Sequence, residues 1–173
     1  AAHLVDEEPV LIMFGDSLYD AEVPPAKQLI DSFNRYNEPI IGLAEINRDE
    51  VDKFGVLDEN ELDDNNYEIK RIVEKPNIKD APSNLVAVGK YIITPEVFKI
   101  LGSMGRGKSG EIRLADAFDY MLENGQKLYG KKLLGEWLDT GDKFNFVKAT
   151  IKLGLKHEEI GGKLKKFIKD LQL

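Results

Sequence analysis

The sequence contains no cysteine. That excludes a disulfide framework and any thiolate metal centre, and it fits a reducing compartment, so a cytoplasmic protein is expected. Histidine is scarce as well: His3 and His157 are the only two, they share no ligand or catalytic spacing, and both are expected on the surface. No Ser-His-Asp set and no paired-carboxylate hydrolase arrangement is visible. No apolar run nears the ~20 residues that cross a bilayer, the longest comparable stretch being Pro9 to Phe14, so no membrane partner is expected. The opening AAHLVDEEPV has neither a basic flank nor a long apolar centre and is not expected to act as a secretory signal. Positive charge is also in short supply. The formal net charge of −7 argues against a nucleic-acid partner, which needs clustered Lys and Arg for counterion release. Lys163, Lys165, Lys166 and Lys169 form the one basic cluster, and their helical spacing reads as a solvated helix face.

What is present is an ordinary globular composition. The 173 residues are 42% hydrophobic and 32% charged, which suffices for a real core. Pro9 to Phe14 (PVLIMF) is a short continuous apolar run of the kind buried on both faces of a parallel sheet, ending at Gly15-Asp16-Ser17. Pro24-Pro25 opens a helix with Leu29, Ile30 and Phe33 at helical spacing, and Pro39 to Ile46 is strand-like. Together these predict a βαβ unit with a right-handed crossover. Val56-Leu57, Tyr67 to Glu74 and Leu85 to Ile93 read as further strands, with the acidic stretch DENELDDNN as a loop between them. Alternation in YEIKRIVE turns Ile69, and either Ile72 or Val73, inward.

Thr94-Pro95-Glu96 reads as a helix start, with Thr as N-cap, Pro in the first turn and an acid near the positive helix end. A second helix is predicted over Glu111 to Glu123, stopped by Asn124-Gly125. Gln126 to Leu134 is strand-like, ended by Glu136 to Asp139; Lys143 to Leu155 and Leu164 to Leu171 are helical. The class is α/β, a mixed and mainly parallel sheet flanked by helices. The chain is expected to be a single domain over 1–173, a core to 157 followed by a C-terminal helix over 158–173. Ala1 lies only a few polar residues before a buried-type strand, so the chain is expected to start mid-fold, incomplete at its N-terminus.

Gly102 to Ser109 (GSMGRGKS) matches the phosphate-cradling pattern G-x-x-x-x-G-K-[ST], in which Lys108 would meet the outer phosphates and Ser109 a magnesium ion. That chemistry needs a buried strand before the loop, whereas TPEVFKIL carries helix capping. The preferred reading is a loop between helices near an active site, with a P-loop NTPase as the alternative.

Asp16 follows an apolar strand directly, and Asp139 stands in a similar setting, E-W-L-D-T-G-D. Ligands of open α/β sheets bind beyond strand ends, and Mg²⁺ favours one or two carboxylates completed by phosphate oxygens. Each aspartate taken alone also reads as a turn or helix cap. In Val73-Glu74-Lys75-Pro76, Lys75 can neutralise a phosphate while Glu74 accepts sugar hydroxyls, or the two can form a structural ion pair.

In order, F-G-D-S (14–17), F-G-V-L (54–57), V-E-K-P (73–76), A-P-S-N-L (81–85), V-G-K-Y-I-I-T-P-E-V-F (88–98), G-E-I-R-L-A-D-A (110–117) and W-L-D-T-G-D-K (137–143) resemble the bacterial-type UTP–glucose-1-phosphate uridylyltransferases, within the sugar-1-phosphate nucleotidyltransferases. The similarity runs from about residue 6 to residue 157. E-K-P is shared across the wider superfamily, while its combination with A-P-S-N-L and G-K-Y-I-I-T-P is more particular to the uridylyl branch. The resemblance implies a Rossmann-like nucleotidyltransferase fold and the conversion of UTP and glucose 1-phosphate into UDP-glucose and pyrophosphate. It implies Mg²⁺ held by Asp16 and Asp139, and Lys75 on the sugar phosphate. It further implies glucose lined by Glu74, Gly55, Val88 and Gly89, with Glu111 and Asp116 behind, and a homo-oligomeric parent. Ser17 stands where the family often has a second aspartate. The family's G-x-G-T-R loop, which cradles the triphosphate and helps read the base, is absent from these residues, so the chain alone is expected to be inactive. Thymidylyl or adenylyl transfer and a non-catalytic sugar-nucleotide-binding module are the alternatives.

Overall fold

The computed structural model describes residues 2–5, 7–105 and 112–171. The strands are β1 (Val10–Met13), β2 (Ser17–Asp20), β3 (Ile40–Glu45), β4 (Gly55–Asp63), β5 (Asn66–Glu74), β6 (Leu85–Ile93), β7 (Tyr129–Lys132) and β8 (Glu136–Asp139). The α-helices are α1 (Pro25–Tyr36), α2 (Pro95–Ser103), α3 (Leu114–Glu123), α4 (Lys143–Lys156) and α5 (Gly161–Asp170), and a 3-10 segment spans Arg48–Lys53. They divide into two compact units, one made of Ala1–Phe14 with Val23–Leu134, the other of Gly15–Glu22 with Gly135–Leu173.

The larger unit is built on a six-stranded sheet in the order β1-β6-β3-β7-β5-β4. Strands β1 and β3 both pair antiparallel with β6, which lies between them. The expected βαβ pair, β1 and β3, therefore exists, but its strands run side by side across an interposed partner. Among the described residues β3–β7 is the one parallel pairing, so the sheet is mixed as expected but mainly antiparallel rather than mainly parallel. For the same reason β1 is a half-exposed strand with a single partner and not a strand buried on both faces.

Alternate residues of β3, Ile41 and Leu43, enter one apolar cluster with Tyr67 and Ile69 of β5, Val97 and Ile100 of α2, and Ala117, Phe118 and Met121 of α3. Helix α1 packs against β3, β6 and β7. It starts with proline in its first turn and stops at Asn37, whose left-handed backbone (φ 54°) returns its N–H to Phe33 O.

Two departures from regular pairing shape this unit. Between Ile41↔Tyr91 and Leu43↔Ala87 the register slips, so Val88, Gly89 and Lys90 bulge out opposite Gly42 alone. A Cβ on Gly42 would lie 3.0 Å from Lys90 O, which is why that position is glycine. Beyond the bulge, the other edge of β6 changes partner, from β1 at residues 90–93 to β4 at Val56↔Val86. That last bridge joins β6, β3, β7, β5 and β4 into a ring.

The acidic stretch read as a loop is mostly strand: Asp58 to Asp63 continue β4 against β5, and only Asp64 and Asn65 turn, both at positive φ. A bulge leaves Lys70 without an opposite residue, so Ile69 and Ile72, three apart, both reach the core side. The helix read from Glu111 is described from Leu114, and the strand read over Gln126 to Leu134 is confined to Tyr129–Lys132.

The smaller unit pairs β2 with β8, antiparallel. Strand β2 starts at Ser17, where the apolar run is expected to end, and the residues after it carry no expectation; β8, expected as the end of the preceding strand, is a strand of its own. Asp142 caps α4 by accepting the Asn145 N–H at 2.9 Å. Lys152 pairs with Glu136 and Lys156 with Asp20, tying α4 to the ladder. Helix α5 crosses α4 where Gly154 leaves room for Leu164, whose Cδ2 would sit 2.8 Å from an added Cβ.

Candidate functional site

In the smaller unit, the ladder places Ser17 opposite Asp139. One residue further, Asp16 O accepts both the Thr140 N–H and the Thr140 hydroxyl, each at 2.8 Å. Asp16 and Asp139 thus come to the same end of the β2–β8 ladder from chain segments more than a hundred residues apart in sequence. Asp16 is exposed and Asp139 half-buried. Neither has an ion-pair partner among the described residues, and Asp139 Oδ1 accepts only the Gly141 N–H, at 3.0 Å. Trp137 donates its indole N–H to Ser17 Oγ at 3.0 Å, which fixes the face of the ladder beside Asp139. No group of three or more His, Cys, Asp or Glu among the described residues is placed to cage a metal. Two carboxylates with free oxygens are a donor set that suits a hard cation completed by phosphate oxygens.

In the larger unit, Gly55 begins β4 directly opposite Glu74, the last residue of β5. A Cβ on Gly55 would lie 3.3 Å from Glu74 Oε2, so the carboxylate lies against a backbone with no side chain in its way. Val56 bridges to Val86, and two residues on is the Val88–Gly89 bulge. Gly89 has φ +64°, and its missing Cβ is replaced by Phe14, whose Cδ2 would come within 2.7 Å of one. Phe14 also donates its N–H to Gly89 O at 2.8 Å and meets Tyr91 edge-on at 5.7 Å. Tyr91 is partly buried against the apolar cluster, and burial pushes its phenol upward.

Lys75 has a left-handed backbone (φ 47°) although it is not glycine, and it precedes a proline. Such a conformation costs about 1–3 kcal/mol and persists only where neighbours enforce it. The enforcing contacts are its N–H bond to Phe54 O at 3.0 Å and the burial of Pro76. Lys75 itself is exposed.

The remaining expected residues fare differently. Glu111, with Lys108 and Ser109 of the phosphate-loop pattern, lies outside the described residues. What precedes that pattern is α2, a helix and not the strand a P-loop requires. Asp116 closes a capping box at the start of α3: it accepts the Arg113 N–H at 3.0 Å, and its Oδ1 takes the Arg113 guanidinium at 2.7 Å. The Arg113 partnership holds the Asp116 carboxyl below the usual carboxylate range. Both His3 and His157 are exposed.

Three residues near these groups went unread in the sequence. Lys90 is 2% exposed, on the β6 bulge beside Gly89; a lysine inside the apolar run LVAVGKYII was the available signal. Arg48 donates to Ala81 O and Ser83 O with no local pattern to announce it, and Tyr91, two residues past Gly89, stands within the G-K-Y-I-I-T-P motif with no role assigned to it.

A family model described as nucleotidyl transferase matches residues 1–154. The chain is 35% identical over all its 173 residues to UTP–glucose-1-phosphate uridylyltransferase 2 of Staphylococcus saprophyticus and to the UTP–glucose-1-phosphate uridylyltransferase of Staphylococcus epidermidis, and spans 60% of the length of each. Among solved structures, a UDP-glucose pyrophosphorylase complexed with UDP-glucose superposes with TM-score 0.81 at 32% identity, over 90% of this chain and 59% of that one. The UDP-glucose pyrophosphorylase of Acinetobacter baumannii superposes with TM-score 0.87 at 25% identity, over 98% of this chain and 59% of that one. With a family model covering most of its length and these folds matching its own, the chain belongs to the nucleotidyl transferase family.

Proposed function

We propose that the chain carries the sugar and metal side of a UTP–glucose-1-phosphate uridylyltransferase. The observation that supports this most is the convergence, within one unit, of Gly55, Glu74, Lys75 and the Val88–Gly89 bulge at the place where β6 changes partner. A carboxylate over bare backbone, a buried glycine-containing bulge beside it and an exposed lysine in an enforced conformation suit a sugar with a phosphate on it.

In the proposed reaction a phosphate oxygen of glucose 1-phosphate attacks the α-phosphorus of UTP. The bond from that phosphorus to the bridging oxygen breaks, and pyrophosphate leaves with its electron pair. Lys75 offsets the charge of the sugar phosphate, Glu74 accepts glucose hydroxyls, and the main chain of Gly55, Val88 and Gly89 walls the ring. Glu111 and Asp116 act from behind, Asp116 by ordering the start of α3. Asp16 and Asp139 would hold Mg²⁺, which when bound supplies charge neutralisation at the phosphate oxygens. Such a transfer needs positioning and charge compensation and no covalent nucleophile.

The sequence contains no G-x-G-T-R loop and spans 60% of the staphylococcal relatives, so the complete transfer is proposed for a protein that also carries that loop. UTP, glucose 1-phosphate and UDP-glucose are its proposed small-molecule partners, a homo-oligomer its assembly and the cytoplasm its setting. Among the described residues no helix is long and apolar enough to cross a membrane. In the loop-bearing protein, Asp139→Asn should slow pyrophosphate release by about 10²-fold or more without shifting the melting temperature. Near-normal turnover would sink the metal assignment.

A further inference from the structure

The ten residues from Lys75 to Asn84 connect β5 to β6, and they begin at the strained lysine. Their hydrogen bonds are a local turn and a few ties at the exit, where Asn84 also donates to Glu45 Oε1 at 3.2 Å. Asp80 and Ala81 donate to Asn77 O at 2.9 and 3.0 Å, Ser83 Oγ donates to Leu57 O at 2.7 Å, and Ile46 N–H donates to Asn84 O at 3.0 Å. One long side chain stands apart. Arg48 spreads its guanidinium over two carbonyls of this connection, Nη1 to Ser83 O at 2.8 Å and Nη2 to Ala81 O at 2.6 Å.

Arg48 is the first residue of the 3-10 segment Arg48–Lys53, and the residue that caps that segment is Phe54. Phe54 O is the acceptor of the Lys75 N–H. One short segment of chain therefore grips the connection at both ends, through Arg48 near its exit and through Phe54 at Lys75. Two charge-assisted bonds from one planar group fix direction as well as distance, which a lysine ammonium could not do. Distal to Pro76 the connection is also held at its exit by Ser83 Oγ on Leu57 O, by the Ile46 N–H on Asn84 O and by Asn84 on Glu45. Arg48, however, supplies the two bonds to the carbonyls of Ala81 and Ser83, and losing them frees the stretch between Pro76 and Ser83 to let Lys75 relax toward an ordinary backbone.

We infer that Arg48 is a positioning residue for Lys75: by pinning Ala81 and Ser83 it holds the connection taut, so that Lys75 keeps the left-handed backbone that aims it. The consequence for ligand binding rests on the glucose 1-phosphate reading above; the consequence for Lys75 itself does not.

Two measurements on the chain test this. Amide exchange followed by NMR should show the Lys75 N–H of Arg48→Met losing protection by about fivefold or more, while amides of β3 and β7 keep theirs. Unchanged protection at Lys75 overturns the inference whatever the chain binds. Titration with glucose 1-phosphate should show binding about fivefold weaker in Arg48→Met and intermediate in Arg48→Lys, with no further loss when Arg48→Met is added to Lys75→Ala. An equal loss in the wild-type and Lys75→Ala backgrounds overturns the inference, because Arg48 then acts through something other than Lys75. If the unsubstituted chain binds no glucose 1-phosphate, the substrate reading falls, and the exchange result alone upholds or overturns the positioning role.

Discussion

At the scale of single residues, backbone conformation and chemistry are coupled at Lys75. The position demands a residue that tolerates φ 47°, for which glycine is the natural choice, yet a lysine stands there. The simplest account is that the side chain is needed at a point where the backbone would prefer none. Replacing Lys75 by glycine and by alanine separates the two demands, since both remove the ammonium and only glycine relieves the backbone. Lys75→Gly should be more stable than Lys75→Ala by about 1 kcal/mol in urea unfolding, while both lose affinity for glucose 1-phosphate alike. Equal stabilities would mean that the left-handed backbone carries no strain. Gly89 shows the opposite arrangement: there the left-handed position is occupied by glycine, and Phe14 fills the space a side chain would take.

At the scale of elements, what was legible in the sequence was what local physics decides. The proline-led starts of α1 and α2, the stop at Asn124-Gly125 and the apolar run of β6 lie within a few residues of where they are expected, although Thr94, at the N-cap position of α2, makes no side-chain cap hydrogen bond. Both strands of the β4–β5 hairpin are expected, but the second half of β4 reads as loop because Asp, Glu and Asn are poor strand formers; it is held by its partner instead of its own preference. Arg35 and Tyr36 reach Asp63 from α1, a support that no local pattern encodes. The turn residues were nonetheless informative: Asp64 and Asn65 are among the few residue types that accept consecutive left-handed conformations in a two-residue hairpin turn. Asn65→Gly should raise stability by about 0.5 kcal/mol, and Asn65→Val should lower it by about 1 kcal/mol or more, both read from chemical denaturation. Insensitivity to valine would mean that the turn is not held in this form. The site was legible in part for the same reason. Glu74, Lys75 and the two aspartates lie in short motifs, whereas Arg48 acts across 33 and 35 residues of sequence.

At the scale of the whole molecule, the chain leaves the larger unit after Phe14, returns at Val23, and leaves again after Leu134. The second exit is firmly tied. Gln28 accepts the Leu134 N–H at 2.8 Å and donates to Leu134 O at 2.9 Å, closing the larger unit just before Gly135. The apolar cluster joining β3, β5, α2 and α3 lies entirely on the near side of that point. A chain ending at Leu134 should therefore keep β-rich far-UV circular dichroism and unfold cooperatively in urea. A broad, non-cooperative transition would show that the larger unit's core is not sufficient by itself. The smaller unit has no such independence of sequence, since β2 and β8 come from segments that the larger unit separates.

Trp137 is the sole tryptophan of the chain, and it stands on β8 two residues before Asp139, with its indole N–H on Ser17. Its emission is therefore an optical signal from the aspartate end of the β2–β8 ladder, undiluted by any second indole. Excitation at the red edge, where tyrosine is silent, would follow cation capture there without a label. The same signal would report the smaller unit's melting separately from the rest of the chain.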